Sequence, residues 1–428
     1  MIVNSCRMIQ AHAAGTQSND SLPWLTVHTL LHRRTFNLPE PRKPTMSCSN
    51  GSHLATRIAF FVSGFGVACW APLIPIAKSR LEMSDGALGL LLLCLGLGSI
   101  LSMQLAGPLT SRFGARLPIM TGGIVMAFLL PCLASAPTVP MLAAALLSFG
   151  AFQGLLEVGT NVHAVEVERR AAKPLMSGFH GLFSIGCFAG STLTSFMLSA
   201  QVSATVAAIM SSALMMAAML AATPRLIKTP RTDDAPLVVL PKGVVVLLAI
   251  LAAIAFLTEG AILDWGALLL SGKRLLPVEK AGLGYSVFAV AMTFGRFAGD
   301  AIVARIGSRR TMLWGGILAV LGYVVLLVAH NAPVALSGFL LVGLGASNTV
   351  PVLFRLAGNQ SVMPAGLAIA SLTTMGYGGI LLGPAGIGFL AQGLGLPTAL
   401  WWLTALMCLI PLCAGFATRA HEQTSEVA

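Results

Sequence analysis

Polar positions in this chain come as short breaks between long apolar runs. Twelve runs can be marked off, at 57–78, 86–110, 117–136, 139–166, 175–199, 203–222, 243–270, 281–305, 311–329, 333–355, 364–391 and 397–418. A helix needs about 20 apolar residues to cross the hydrocarbon core of a bilayer, and every run is close to that length or longer. The runs are too long and too closely spaced for strands of a soluble core. The alternation that a membrane barrel requires is absent. In lipid the backbone must satisfy its own hydrogen bonds, so each run is predicted as a helix. The expectation is an all-α membrane protein with twelve transmembrane helices.

Two stretches depart from this rhythm. Residues 1–56 are polar and proline-containing, and their apolar patch LPWLTVHTLL is too short to span. They carry no pattern of charged start, apolar stretch and small-residue cleavage site. Met46 opens MSCSNGSHLATRIAFF, an ordinary lead into a first membrane helix. Translation starting at Met46 and a disordered cytoplasmic tail are the two readings. The second stretch, 223–242, is TPRLIKTPRTDDAPLVVLPK, with prolines throughout and the adjacent Asp233 and Asp234. It reads as a cytoplasmic linker between an N-terminal six-helix bundle at 57–222 and a C-terminal one at 243–418, with a tail at 419–428.

Composition sharpens the picture. Of the 428 residues 56% are hydrophobic and only 10% charged, against about 25% charged in soluble domains. The net charge of +11 would suit nucleic acid, but its placement argues for topology. Six of the 26 Lys and Arg precede the first helix, up to Arg57, and Arg296 lies within a helix. Fourteen occupy the even-numbered turns, the linker and the tail. Five, Lys78, Arg80, Lys273, Arg274 and Lys280, occupy the other side. That bias puts both termini in the cytoplasm of a multi-pass protein, expected in a bacterial inner membrane. Nucleic acid is not needed as a partner. The cysteines form no C-x-x-C pair and most lie within the predicted helices, so no disulfide framework, metal or other cofactor is expected.

The breaks also repeat. RFGAR at 112–116 returns as RIGSR at 305–309, an offset of 193 residues. At the same offset Gly150 maps to Gly343, Gly186 to Gly379 and Gly190 to Gly383. The halves read as a duplicated six-helix unit, the internal symmetry of alternating-access transporters.

GPLTSRFGAR, from Gly107, resembles the loop motif between helices 2 and 3 of the major facilitator superfamily. Gly107, Gly114 and Arg116 match it, while Ser111 stands where the motif has an acid. GILLGPAGIG (379–388) is a Gly-Pro-rich close-packing segment. EVERRAAKPLMSGFHGLFSIG (166–186), AILDWGALLL (261–270) and VAMTFGRFAGD (290–300) are similar to the YbjJ-type bacterial inner-membrane permeases, a branch near the fucose permease group. The resemblance covers roughly 57–418. It implies the major facilitator fold, two pseudo-symmetric six-helix bundles, but no particular substrate. The motif's acid helps to latch the cytoplasmic gate in that superfamily. Without it, the candidates for a gate are Arg112, Arg116, Glu166, Glu168, Arg169, Arg170 and Asp300, or these charges set topology alone.

Ionisable groups inside a membrane are costly and so become functional candidates. Gln153, Glu157 and Asn161 recur every four residues, which stacks them on one helical face. Glu157 is the first candidate to take up and release a proton, and fucose-permease-like symporters also use an acid in helix 4. His180, Ser184 and Ser191 form a second stripe. Glu259 and Asp264 share the seventh helix but not a face. Glu259 is placed to join Glu157, whereas Asp264 beside Trp265 suits either a gate contact or a helix pair. Arg296 and Asp300 are spaced to neutralise one another. The deeper Arg296 suits an anionic substrate, or holds Glu157 or Glu259 charged until a substrate displaces it. Asn348, Thr373, Thr374 and Tyr377 add uncharged donors and acceptors. Trp70 suits a sugar ring or a membrane interface.

No P-loop lysine motif is present, and no nucleophile and base are paired for an enzyme. The expected activity is secondary transport of a small polar, sugar-like solute, coupled to protons, by a monomer in the bilayer. Drug or metabolite efflux and a transporter-fold sensor that does not translocate are the alternatives. Efflux antiporters of this kind usually carry a Gly-Pro segment in the fifth helix, where this chain has GCFAGST.

Overall fold

The computed structural model describes residues 50–83, 85–229, 240–277 and 283–425. The question of Met46, and Asp233 and Asp234 of the linker, lie outside these. The helices are α1 (Asn50–Trp70), α2 (Asp85–Phe113), α3 (Arg116–Ser135), α4 (Val139–Ala171), α5 (Met176–Ser199), α6 (Ala204–Ala222) and α7 (Val244–Gly272). Leu283–Val328 is two spans joined at Gly307, taken here as α8 (283–306) and α9 (308–328). α10 is broken into Ala332–Ala346 and Thr349–Asn359, α11 is Ala365–Leu394, and α12 is broken into Leu396–Met407 and Leu409–Ser425. Each predicted run has become a helix of membrane length, twelve among the described residues.

Two boundaries moved for physical reasons. α1 starts at Asn50, ahead of the expected 57, because Ser52 and Thr56 turn inward and are fully buried against protein. Thr56 Oγ1 returns its hydroxyl proton to the Ser52 carbonyl, 2.9 Å away. An apolar count misses a turn whose polar groups are satisfied internally. The expected break at 306–310 is the bend at Gly307, whose φ of 79° suits glycine alone. Its counterpart Gly114 has φ 83°, so the repeated basic stretch is a repeated glycine bend.

The duplication extends into caps and packing. Thr138 caps α4 by accepting from the Met141 amide, and Asn331, 193 residues on, caps α10 by accepting from the Val334 amide. Gly150 of α4 lies directly on the Leu95 carbonyl of α2. Gly343 of α10 lies on the Phe288 carbonyl of α8, both partners again displaced by 193 residues. These contacts bring helix backbones together where lipid provides no hydrophobic drive for association. Within the first half α1 packs on α5 and α6, and α2 and α3 on α4. Within the second α7 packs on α11, and the α8–α9 rod on α10 and α12. The halves meet where α2 lies against α11 and α5 against the α8–α9 rod.

A methyl group at Gly343 would collide with a helix backbone that cannot move aside alone. Gly343→Ala should cost about 1–3 kcal/mol, the usual range for overpacking. It should therefore lower the thermal unfolding midpoint of the purified protein. Gly378→Ala in α11, where an added Cβ meets nothing within 4 Å, should leave the midpoint unchanged or raise it. Equal effects of the two would refute a close-contact role for Gly343.

Candidate functional site

α4 carries its polar stripe into the middle of the first half. Gln153, Glu157 and Asn161 are all buried, Glu157 with 6% of its surface exposed. Ser63 of α1 sits opposite them. Gln153 Nε2 donates to Ser63 Oγ (2.9 Å), and Ser63 Oγ donates to Glu157 Oε2 (3.3 Å). Asn161 Nδ2 donates to Glu157 Oε1 (3.3 Å) and to the Glu157 carbonyl (2.9 Å). Glu157 thus holds neutral donors on both oxygens, and it makes no ion pair among the described residues. Tyr377 of α11 packs at a tilt against Phe256, with ring centroids 6.1 Å apart.

A second polar group lies between α5, α7 and α8. Arg296 is 8% exposed. Its Nη1 donates to Ser184 Oγ at 2.9 Å, and its Nη2 reaches both oxygens of Glu259 at 3.4 Å. Its Nε is buried with no partner. The ring of His180 packs between Phe60 and Phe354, with Nε2 also unpartnered. Glu259, Arg296 and Ser184 face a cavity of ≈ 720 Å³, together with Ser191, Tyr285 and several phenylalanines. The cavity lies from the middle of the bundle toward the face opposite the chain termini.

On the termini side the halves are closed against each other. Four backbone amides at the start of a helix have no intrahelical acceptor, and at α5 two carboxylates take all of them. Glu168 Oε2 accepts from Leu175 (2.7 Å) and Met176 (2.8 Å). Asp300 of α8 accepts from Ser177 (3.0 Å) and Gly178 (2.8 Å). Arg355 of α10 stands between the acids. It grips Glu168 through Nε and, at 2.9 Å, through Nη2, which is also 3.8 Å from Asp300. Nearby, Gly107 of α2 meets Ala370 of α11, and Val165 of α4 meets Gly358.

The other predicted residues fall elsewhere. Arg169 and Arg170 pair with Glu166 on their own helix. Arg112 leans on Phe113, and Arg116 is exposed. These four therefore make no described ion pair across the halves; of the proposed gate residues Glu168 does so, and Asp300 crosses by accepting the Ser177 and Gly178 amides. Ser111 is buried against Gly366 at the start of α11. Asn348 sits at the break in α10 and donates to the Gly295 carbonyl (2.9 Å), and Thr374 returns its hydroxyl to Ala370 of its own helix. Trp70 is packed in the core at 3% exposure. Asp264 is exposed and lies near Tyr285 at the outer end of α7.

Three participants were not singled out from the sequence: Ser63, Arg355 and His163. A lone serine carries no signal. Arg355 was counted only as a topology charge, because it ends an apolar run. His163 is fully buried, and its Nε2 accepts from the Ile227 amide (3.0 Å). Its proton must then sit on Nδ1, facing Thr56 Oγ1 at 3.0 Å. With Ala115 donating to Thr229 and Arg170 to the Lys228 carbonyl, it ties 227–229 to the first half.

The Major Facilitator Superfamily model matches residues 57–361. An uncharacterised MFS-type transporter of Yersinia pestis is 44% identical over 367 residues, 86% of this chain and 96% of the relative. Two solved structures share the fold. The human organic anion transporter MFSD10 gives a TM-score of 0.71 at 14% identity, covering 85% of this chain and 99% of its own. The MFS transporter FucP in its outward conformation gives 0.69 at 17% identity, covering 87% and 100%.

Removing one partner of a buried, forked ion pair typically costs about 3–5 kcal/mol. Glu168→Gln should therefore loosen the termini-side closure. Spin labels placed at Arg112→Cys and Arg305→Cys, in a background without native cysteines, should shift toward longer distances. Glu166→Gln, whose partners lie on its own helix, should leave the distribution in place. Unchanged distances in Glu168→Gln would remove this pair from the closure.

Proposed function

Because the chain belongs to the Major Facilitator Superfamily of transporters, we propose that it is a secondary active transporter that moves a small solute with protons by alternating access. The observation that carries the coupling is the partnership of Glu157. Its carboxyl is held by Ser63 and Asn161, neutral donors, while the neighbouring cation Arg296 is engaged with Glu259 and Ser184. Glu157 can take or release a proton without breaking an ion pair. Sealing an ionised carboxylate away from water without a cation costs several kcal/mol. Closure over the site therefore favours the protonated form, and the proton travels with the moving cavity.

In this reading Arg296 and Glu259 form the central pair that a bound solute perturbs, with His180, Ser184, Gln153 and Tyr377 around it. Glu168, Arg355 and Asp300 form the gate, which must part for the opposite side to open. The two bundles at 57–222 and 243–418 move about the linker at 223–242. The lysine and arginine bias supports a cytoplasmic position for the gate and both termini, in a bacterial inner membrane.

Proteoliposomes loaded with a pH-sensitive dye provide the test. Solutes are added one at a time, and a coupled one acidifies the lumen as it enters. With that solute, Glu157→Gln should abolish accumulation driven by a pH gradient while preserving solute exchange, which needs only loaded states. Accumulation that is unchanged in Glu157→Gln would remove the proton-carrying role from this residue.

A further inference from the structure

The ≈ 720 Å³ cavity is chemically two-sided. At its inner end stand Arg296, Glu259 and Ser184. The rest of the lining is rich in aromatics, with Phe183 and the buried Phe288, and with Phe188 and Phe294 at the rim. Arg296 is 8% exposed, whereas Phe188 of α5 and Phe294 of α8 are 73% and 71% exposed. On each helix these last two belong to the outward, lipid-side stripe, with Ile185 and Val290 beside them. The cavity therefore runs from a buried guanidinium sideways, between α5 and α8, to the apolar rim of the bundle.

The inner end is also unsaturated. Charge-assisted N–H···O bonds ordinarily measure about 2.7–2.9 Å, and both contacts of Arg296 to Glu259 are 3.4 Å. Its Nε has no acceptor at all. A sugar would bring hydroxyls on every side, and each one left unpaired against phenylalanine would cost binding energy. A molecule with one charged end and an apolar body meets a partner at both ends.

We propose that this site takes an amphipathic organic anion, its acidic group on Arg296 and Ser184 and its apolar body between α5 and α8 among Phe183, Phe188, Phe288 and Phe294. The inference rests on the transport reading above and narrows its substrate class. Arg296 and Glu259 already balance, so an incoming anion leaves the site one negative charge in excess. With Glu157 protonated, uptake of one proton by Glu259 restores the balance, and anion and proton then move together.

The probe is 2-naphthalenesulfonate, which stays ionised, with the neutral 2-naphthalenesulfonamide and a hexose as comparisons. Binding to protein in nanodiscs is measured by thermal stabilisation against a nanodisc reference without protein. The sulfonate should bind at least tenfold more tightly than the sulfonamide, with proton uptake in weakly buffered solution, and the hexose should not bind. Arg296→Lys, which keeps the charge but loses the planar fork, should weaken the sulfonate at least tenfold. Phe188→Ser, at the exposed rim, should weaken both naphthalene compounds alike. Equal binding of sulfonate and sulfonamide, or full affinity in Arg296→Lys, overturns the proposal. A hexose that binds and accumulates with protons overturns it too, while leaving the transport reading standing. Sulfonate binding through Arg296 without flux in proteoliposomes has the opposite meaning: the anion site stands and the transport reading falls.

Discussion

A charge inside a bilayer must find its partner in the protein, and in this fold two arginines reach across the boundary between the halves, one to a carboxylate and one to a hydroxyl. Arg296 and Arg355 both belong to the second half. Arg296 reaches Ser184 of α5 and Glu259 of α7, and Arg355 reaches Glu168 of α4 with Asp300 alongside. Both arginines are buried; the Arg296–Glu259 pair closes within the second half, but Arg355 and Glu168 are satisfied only when the halves meet. The seam is held by electrostatics at two depths, and the apolar contacts between α2 and α11 fill the space around them. Any rearrangement that separates the halves must first give these cations new partners or water.

The two pairs differ in a way that matters for movement. Arg355 uses Nε and Nη2 together on one carboxylate, the fork geometry that makes arginine selective for planar acids. The acids it joins also take four amides of the α5 N-terminus, where the helix dipole favours negative charge. That knot carries two carboxylates, one guanidinium and a helix end, so it is close to neutral, with Nη1 of Arg355 left buried without a partner. Arg296 makes one good bond, two long ones and none at Nε. A short forked pair at the closed side and a longer one facing the cavity place the resistance to opening and the response to a ligand at different depths.

Much of the scaffold was legible in the sequence because it depends on properties that a sequence carries directly. Run length set the spans, and one offset of 193 residues matched glycine bends, helix caps and backbone contacts in both halves. The chemistry does not repeat. At that offset Glu157 faces Val350, Asn161 faces Phe354, Glu259 faces Gly66, Arg296 faces Met103 and Arg355 faces Val162. Departure from the repeat is thus itself a signal, and it would have raised Arg355 from a topology charge to a functional candidate. Ser63 had no such signal, since its importance comes from Gln153 and Glu157 on another helix. The start of α1 was hidden for a related reason: Ser52, Thr56 and His163 satisfy one another, which hydropathy along one helix cannot register.

The loss of the motif acid at Ser111 follows the same logic of satisfied charge. Ser111 lies at the start of α11, where the motif would place a carboxylate near free amides. The equivalent carboxylate-to-helix contact is made on the other side of the pseudo-symmetry axis, by Asp300 at the start of α5. There a second acid, Glu168, needs a cation, and Arg355 provides it. With the start of α5 bonded by two acids and the start of α11 only packed against Ser111 and Thr110, polar closure on the termini side is concentrated at α4, α5, α8 and α10. The α2–α11 contact is then apolar and small-residue, with Gly107 against Ala370 and Gly96 against Leu381, a surface that parts without exposing an unpaired charge.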